Sequence, residues 1–160
     1  MRLSSLSLLV PVMALGLTAC AGTNMPLEDR TVHFSFGKAT LSAEAKGKLN
    51  TIANVAKSDE SIGAVNIVGY ADRIGNAKAN EHLSKRRANT VKAYLNKKGW
   101  NYTNVEQTRW VGESQSTGCE DKATRKNIDC LAPDRKVEVE FISRISEFCT
   151  NWTGRHCRQN

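Results

Sequence analysis

Asp72 and Arg87 are the two side chains whose type and setting best fit ligand chemistry in this sequence. Asp72 lies in Gly69-Tyr70-Ala71-Asp72-Arg73-Ile74-Gly75, just past an apolar segment and ahead of a helical one. Open α/β sheets bind ligands at such places, outside the carboxyl ends of their strands. Leu83, Arg87 and Val91 are four apart, which sets Arg87 on an apolar stripe of the helix. An arginine there either snorkels past the core edge or pairs with a carboxylate, and Asp72 is the natural partner. Two readings stay open at this point. One is a plain structural ion pair. The other is a cleft in which Asp72 takes an ammonium and Arg87 grips a carboxylate bidentately, as the two ends of a zwitterionic amino-acid centre require.

The cysteines speak of export. Met1-Arg2 is a positive n-region, Leu6 to Ala19 is an apolar run, and Leu17-Thr18-Ala19-Cys20 closes it as a bacterial lipobox. Cleavage would then make Cys20 the acylated first residue, with 1–19 a lipoprotein signal. Acyl chains contribute about 0.8 kcal/mol per buried CH₂, so several of them anchor a protein firmly in outer-membrane lipid. Ala21, rather than Asp, follows the cysteine, which favours the outer membrane. Cys119, Cys130, Cys149 and Cys157 remain, an even number for an oxidising compartment. Of three connectivities, the sequential pairs 119–130 and 149–157 close the shortest loops. Their spacing, with His156 beside Cys157, fits no common zinc pattern.

Catalytic signatures are missing. No G-x-S-x-G or H-E-x-x-H occurs, and His33, His82 and His156 lie far apart in sequence. A hydrolase site around Asp72 and Arg87 would need a nucleophile or base that the sequence does not offer. The reading is a binding module without enzyme activity, metal or cofactor.

The elements that must position these residues can be traced by periodicity. Val32, Phe34 and Phe36 alternate with polar neighbours as a half-buried strand. Ser42 caps a helix whose stripe is Leu49, Ile52, Ala53 and Ala56. Ala64 to Val68 is a second strand, closed by Gly69. A second helix runs from about Ala77 to Lys98 and stops at Gly99, a left-handed cap. Thr108 to Val111 lies in a third strand, and Val137, Val139 and Phe141 mark a fourth. The order β-α-β-α-β-β predicts an α/β sandwich: a mixed four-stranded sheet with helices on one face. The connection 112–134 is long and carries a cysteine pair as a staple. Residues 20–30 read as a tether, 31–142 as the domain, and 143–160 as a tail pinned by its own disulfide.

At 160 residues the chain allows one ordinary domain, and no apolar run suggests a spanning helix. Lys and Arg number 23 against 16 Asp and Glu, for a net charge of +7, so an anionic partner fits the balance. Lys85, Arg86, Arg87, Lys92, Lys97 and Lys98 meet no acid between Glu81 and Glu106. Nucleic acid would be the partner of such a face in the cytosol, and the export signal removes it. Wall carboxylates or anionic lipid fit the compartment. A solvated helix face is the ordinary reading for all of these but Arg87.

GYADRIG followed by N-x-x-LS-x-RRA-x-x-V-x-x-YL-x-x-KG closely resembles the OmpA-like peptidoglycan-binding domain, as do VHFSFGKATL at 32–41 and CLAPDRKVEVE at 130–140. The likeness spans roughly residues 30–142. It is nearest to the periplasmic C-terminal domains of enterobacterial members, while the lipobox resembles that of the peptidoglycan-associated lipoprotein. The resemblance implies recognition of diaminopimelate in the stem peptide of peptidoglycan, tying the outer membrane to the wall from the periplasm. It implies that Asp72 binds the ligand's amino group and Arg87 its carboxylate, with Asn80 as a loop-ordering or contacting residue and Arg135 as the basic residue of the last motif. Backbone contacts fall to Phe36 and Gly37. Ser35 and Gly37 stand where many members carry acids or Asn, so the first loop offers backbone rather than side chain. A second expectation is a scaffold subunit of an envelope-spanning secretion, conjugation or motility complex, kept in view by the cysteine-bearing tail.

Overall fold

A computed structural model describes residues 25–100, 107–111 and 118–143, with the backbone alone for 107–111. Cys20, Cys149, Cys157, the export signal and the tail beyond Ser143 lie outside the described residues. The elements are β1 (Thr31–His33), α1 (Ala43–Ser58), β2 (Ile62–Tyr70), α2 (Ala77–Lys97), β3 (Gln107–Val111), α3 (Arg125–Cys130) and β4 (Lys136–Ser143). A single 3-10 turn, Ala132–Asp134, joins α3 to β4. In space the strands run β1-β4-β2-β3, with β4 antiparallel to both neighbours and β3 parallel to β2. This is the expected mixed sheet.

Both long helices lie on the face that carries Val65 and Ile67 of β2 and Val137 and Val139 of β4. Helix α1 forms because Ala45, Leu49, Ile52, Ala53 and Ala56 share one stripe, and because the Ser42 hydroxyl accepts the Ala45 N–H at 3.0 Å. Burying a Leu, Ile or Val side chain contributes roughly 1.5–3 kcal/mol, and Leu49, Ile52 and Val32 are fully buried. Helix α2 has a buried stripe of two characters. Ala88, Val91 and Leu95 extend the core, whereas Asn80, Ser84 and Arg87 bury polar groups in its first half. That half stands over the end of β2. The helix stops where Gly99 takes φ 79°, the expected left-handed cap.

The close approach of α2 to β2 depends on Gly69. A Cβ there would sit 2.3 Å from the Ser84 carbonyl oxygen and 3.1 Å from the Ala88 Cβ. Any side chain would push the helix off the strand and lift Arg87 with it.

Three boundaries differ from expectation. Strand β1 ends at His33, so the alternation of Phe34 and Phe36 does not continue as strand. Phe34 is buried, but Phe36 is 39% exposed on a turn in which the Lys38 N–H donates to the Ser35 carbonyl. Strand β2 runs two residues further at each end than its apolar segment, because β4 pairs with it from Ser143 to Val137. The stretch 118–134 contains α3 and the 3-10 turn rather than loop alone, with Thr124 capping α3 through the Asn127 N–H. Its staple is present: Cys119 and Cys130 form a disulfide. The second expected pair, Cys149 and Cys157, lies outside the described residues. Residues 25–30, the second half of the tether, fold against the sheet, where Arg30 donates to the carbonyls of Met25 and Val139.

Candidate functional site

The C-terminal end of β2, the end of β1 and the start of β4 meet at one edge of the sheet, and Asp72 stands at their centre. Its carboxylate Oδ1 accepts the Ile74 N–H at 3.2 Å, a turn that short acidic side chains favour. Asn76 caps α2 by accepting from Lys78 and Ala79 N–H groups. One turn on, Asn80 donates from Nδ2 to the Ile74 carbonyl at 3.3 Å. Asn80 is therefore a loop-ordering residue here. It ties the helix to the segment that presents Asp72, and both are buried.

Arg135 is the direct partner of Asp72. Its NH1 lies 3.4 Å from Asp72 Oδ2 and donates also to the Ile128 carbonyl at 2.6 Å. Its Nε donates to the Phe34 carbonyl at 3.1 Å, while the Phe34 N–H donates to the Arg135 carbonyl at 2.8 Å. These bonds continue the β1–β4 ladder one step past His33 and Lys136. The backbone of the two strands thus aims the guanidinium at Asp72.

Arg87 corrects the simplest expectation. Among the described residues, no hydrogen bond or ion pair joins it to Asp72. It donates to three main-chain carbonyls instead: Lys38 at 2.9 Å, Tyr70 at 2.8 Å and Ser35 at 3.3 Å. Its guanidinium carbon also sits 5.3 Å from the centre of the Phe34 ring, and the side chain is fully buried. Burial pushes its pKa down to about 10, Asp72 opposes that shift, and Arg135 and Arg86 add to it. It remains a cation at neutral pH. The periodicity placed Arg87 correctly at the edge of the core, but backbone acceptors leave no trace in a pattern of side chains.

Phe36 and Gly37 form the tip of the turn whose carbonyls Arg87 holds from below. All six expected site residues therefore meet at this edge of the sheet: Phe36 and Gly37 are exposed, and Asp72, Asn80, Arg87 and Arg135 are buried beneath them. One carboxylate and two guanidiniums give the buried cluster a formal charge of +1. Arg87 has five N–H donors, of which three are engaged. A zwitterion carrying a further carboxylate complements such a set better than a simple cation or a neutral sugar does. No cluster of His, Cys, Asp or Glu suited to a metal occurs among the described residues.

Arg73, which no sequence pattern singles out, also borders this edge. Its NH2 donates to the Cys119 carbonyl at 2.8 Å, and a pocket lined by Arg73, Cys119, Glu120, Asp121 and Lys122 opens beside it. Its place directly after Asp72 was the only available signal.

Comparison with known proteins gives the family and the fold. Residues 33–128 match the OmpA family. The chain is 42% identical over 114 residues to outer membrane protein A of Escherichia coli O157:H7, covering 68% of this chain and 33% of that protein. It is 41% identical over 114 residues to outer membrane protein A of Citrobacter freundii, covering 68% of this chain and 48% of that protein. It thus spans a third to a half of the length of such relatives. Among solved structures, the peptidoglycan-associated lipoprotein of Burkholderia pseudomallei superposes with a TM-score of 0.59 at 21% identity, covering 74% of this chain and 95% of that one. The cell wall anchor of the T6SS from Pseudomonas aeruginosa gives 0.51 at 19% identity, covering 71% and 80%. At these identities the structures establish the fold.

Proposed function

The chain belongs to the OmpA family of peptidoglycan-associated, non-catalytic domains, and we propose that it binds the diaminopimelate residue of the peptidoglycan stem and so tethers the outer membrane to the wall. The observation that carries this reading is the convergence of Asp72, Arg87 and Arg135 beneath the Phe36–Gly37 turn. Asp72 has lone pairs left after its bonds to Ile74 and Arg135, and a ligand ammonium completes them. The carboxylate of the same centre takes the N–H donors that Arg87 does not spend on backbone, with the Phe36 and Gly37 backbone closing over it. Desolvation makes each of these charge-assisted bonds stronger than it would be in water. Because Arg87 is fully buried in this structure, the Ser35–Lys38 turn yields to admit the ligand.

Cys20 supplies the membrane end of the tether through its acyl chains. The scaffold alternative draws on the tail at 143–160, almost all of which lies outside the described residues, and no observation favours it.

A pull-down on purified sacculi tests the reading. Asp72→Asn keeps the side chain's shape and an acceptor for the Ile74 N–H but removes the charge. Loss of a desolvated charge pair costs about 2–5 kcal/mol, so its affinity should fall roughly thirty-fold or more. Lys97→Ala, on the exposed face of α2, should bind as wild type does. Sacculi with Lys in place of diaminopimelate should bind poorly, since Lys lacks the second carboxylate. Folded Asp72→Asn binding as well as wild type would contradict the assignment.

A further inference from the structure

The disulfide-closed segment 119–130 bonds two neighbours of Asp72. Near one end, the Cys119 carbonyl accepts from Arg73, the residue bonded directly after Asp72, at 2.8 Å. Near the other, the Ile128 carbonyl accepts from Arg135 at 2.6 Å, using the same NH1 that faces Asp72 at 3.4 Å. The Cys119–Cys130 bond and the Asn127 side chain, which donates to the Lys122 carbonyl at 3.1 Å, fix the separation of the two carbonyls. The segment contributes nothing to the main hydrophobic cluster, which is built from β1, α1, β2, α2 and β4 with flanking residues. Among the described residues, its hydrogen bonds to other elements run to Arg73 and Arg135.

From this geometry we propose that the 119–130 segment is a clamp that holds Asp72 and Arg135 at working separation, with Arg73 as a positioning residue for wall binding. Two acceptors share one guanidinium nitrogen, one for each of its two N–H bonds, and their contacts are unequal. The Ile128 carbonyl draws Arg135 NH1 to 2.6 Å and leaves its contact with Asp72 long. A carboxylate so loosely paired still has capacity for a ligand ammonium. If the segment drifts, Arg135 loses that carbonyl, closes on Asp72 and takes the place of the ammonium. Arg73 holds the other half of the clamp by pinning Cys119 to the Asp72 loop. The proposal rests on the wall-binding reading for its effect on affinity, but not for its effect on local geometry.

The test uses the full chain as Arg73→Ala, Arg73→Lys and the double variant Cys119→Ser/Cys130→Ser. Three quantities are read: thermal unfolding, hydrogen exchange at the Ile74 amide, and half-saturation on sacculi. Ile74 matters because its N–H is held by Asp72 Oδ1, which moves if Arg135 closes on the carboxylate. Arg73→Ala should unfold cooperatively at nearly the wild-type temperature, yet lose about tenfold in Ile74 protection and about tenfold in sacculus affinity, the loss expected of one hydrogen bond to a charged group. Arg73→Lys should recover part of both, since an ammonium can still donate to the Cys119 carbonyl. The double Ser variant should stay folded at lower temperature and show the same two losses. Unchanged Ile74 exchange in folded Arg73→Ala and in the double variant would overturn the clamp, whether or not the chain binds the wall. Altered exchange with unaltered affinity would overturn its link to binding. Wild type that fails to bind sacculi while Ile74 exchange responds would sink the wall reading and leave the clamp standing.

Discussion

Arg87 behaves as an internal strut before it can behave as a ligand group. Three carbonyls depend on it, two on the turn after β1 and one at the end of β2, and a fully buried cation at a pKa pushed down to about 10 has already lost most of its hydration. Arg87→Ala would leave those acceptors unsatisfied and Asp72 with less compensating charge. Removing one member of a buried ionic network typically costs about 3–5 kcal/mol. Urea unfolding of Arg87→Ala should therefore show a loss of that order, while Lys97→Ala should lie within about 0.5 kcal/mol of wild type. An Arg87→Ala domain as stable as wild type would show that the three carbonyls find water instead. For this reason the ligand role is better probed at Asp72 than at Arg87.

His33 supplies a pH dependence at the same scale. Partial burial lowers its pKa below 6.5, Lys48, Lys136 and Arg135 lower it further, and Glu44 acts the other way. The unfolded chain thus binds the imidazole proton more readily than the native one, so stability falls as pH drops below about 6.5 and levels off once the native imidazole is charged too. The midpoint of urea unfolding should shift less between pH values of about 7.5 and about 5.5 in His33→Gln than in wild type. An equal shift in both would assign the dependence to other groups.

Among the elements, α2 links fold to site. Arg87 and Val91, four apart, lie on its buried face as their spacing predicts, with Leu83 half-buried at its border, and its stop was legible from Gly99. The helical stripe placed Arg87 on that face, and the position of Asp72 after a strand marked the edge of the sheet where Arg135 meets it. What the sequence could not supply were the backbone acceptors, the exchange of partners that gives Asp72 to Arg135, and the end of β1. An alternating Val32, Phe34, Phe36 pattern looks the same whether the last residue is in a strand or on a turn, because the difference lies in where β4 stops offering partners. Gly69 carries the closest contact of all. Gly69→Ala would place a methyl carbon 2.3 Å from the Ser84 carbonyl oxygen, so α2 must move. Overpacking of this kind costs about 1–3 kcal/mol, and sacculus affinity should fall along with stability because Arg87 rides on the same helix. A loss of stability with full affinity would show that Arg87 follows the first loop and not the helix.

The whole molecule has a polarity that suits a bridge. Strands β1 and β2 both run toward the Asp72 edge, since each is antiparallel to β4. The tether enters lower on the sheet: Arg30, bonded to the Met25 carbonyl, lies over the ring of Phe141 on β4, which pairs with Val65 near the start of β2. From Cys20 to Met25 a fully extended chain spans at most about 17 Å. With Cys20 acylated, the domain would hang close to the membrane with its Asp72 edge turned away. A fluorophore at position 61, just before β2, should then be quenched more strongly by headgroup-quencher lipids than one at position 36. The reverse order would mean that the site faces the membrane.

The central claim is that this edge recognises a diaminopimelate centre, and an NMR titration of the full chain with a diaminopimelate-containing stem tripeptide tests it most directly. The Gly37 and Ile74 amides and the Arg87 Nε–H should shift along one saturable curve, and Asp72→Asn should abolish the response while keeping the folded spectrum. Shifts confined to the exposed lysines of α2, or no saturable shift with peptide at about 1 mM, where even weak complexes of about 4 kcal/mol are half formed, would contradict it.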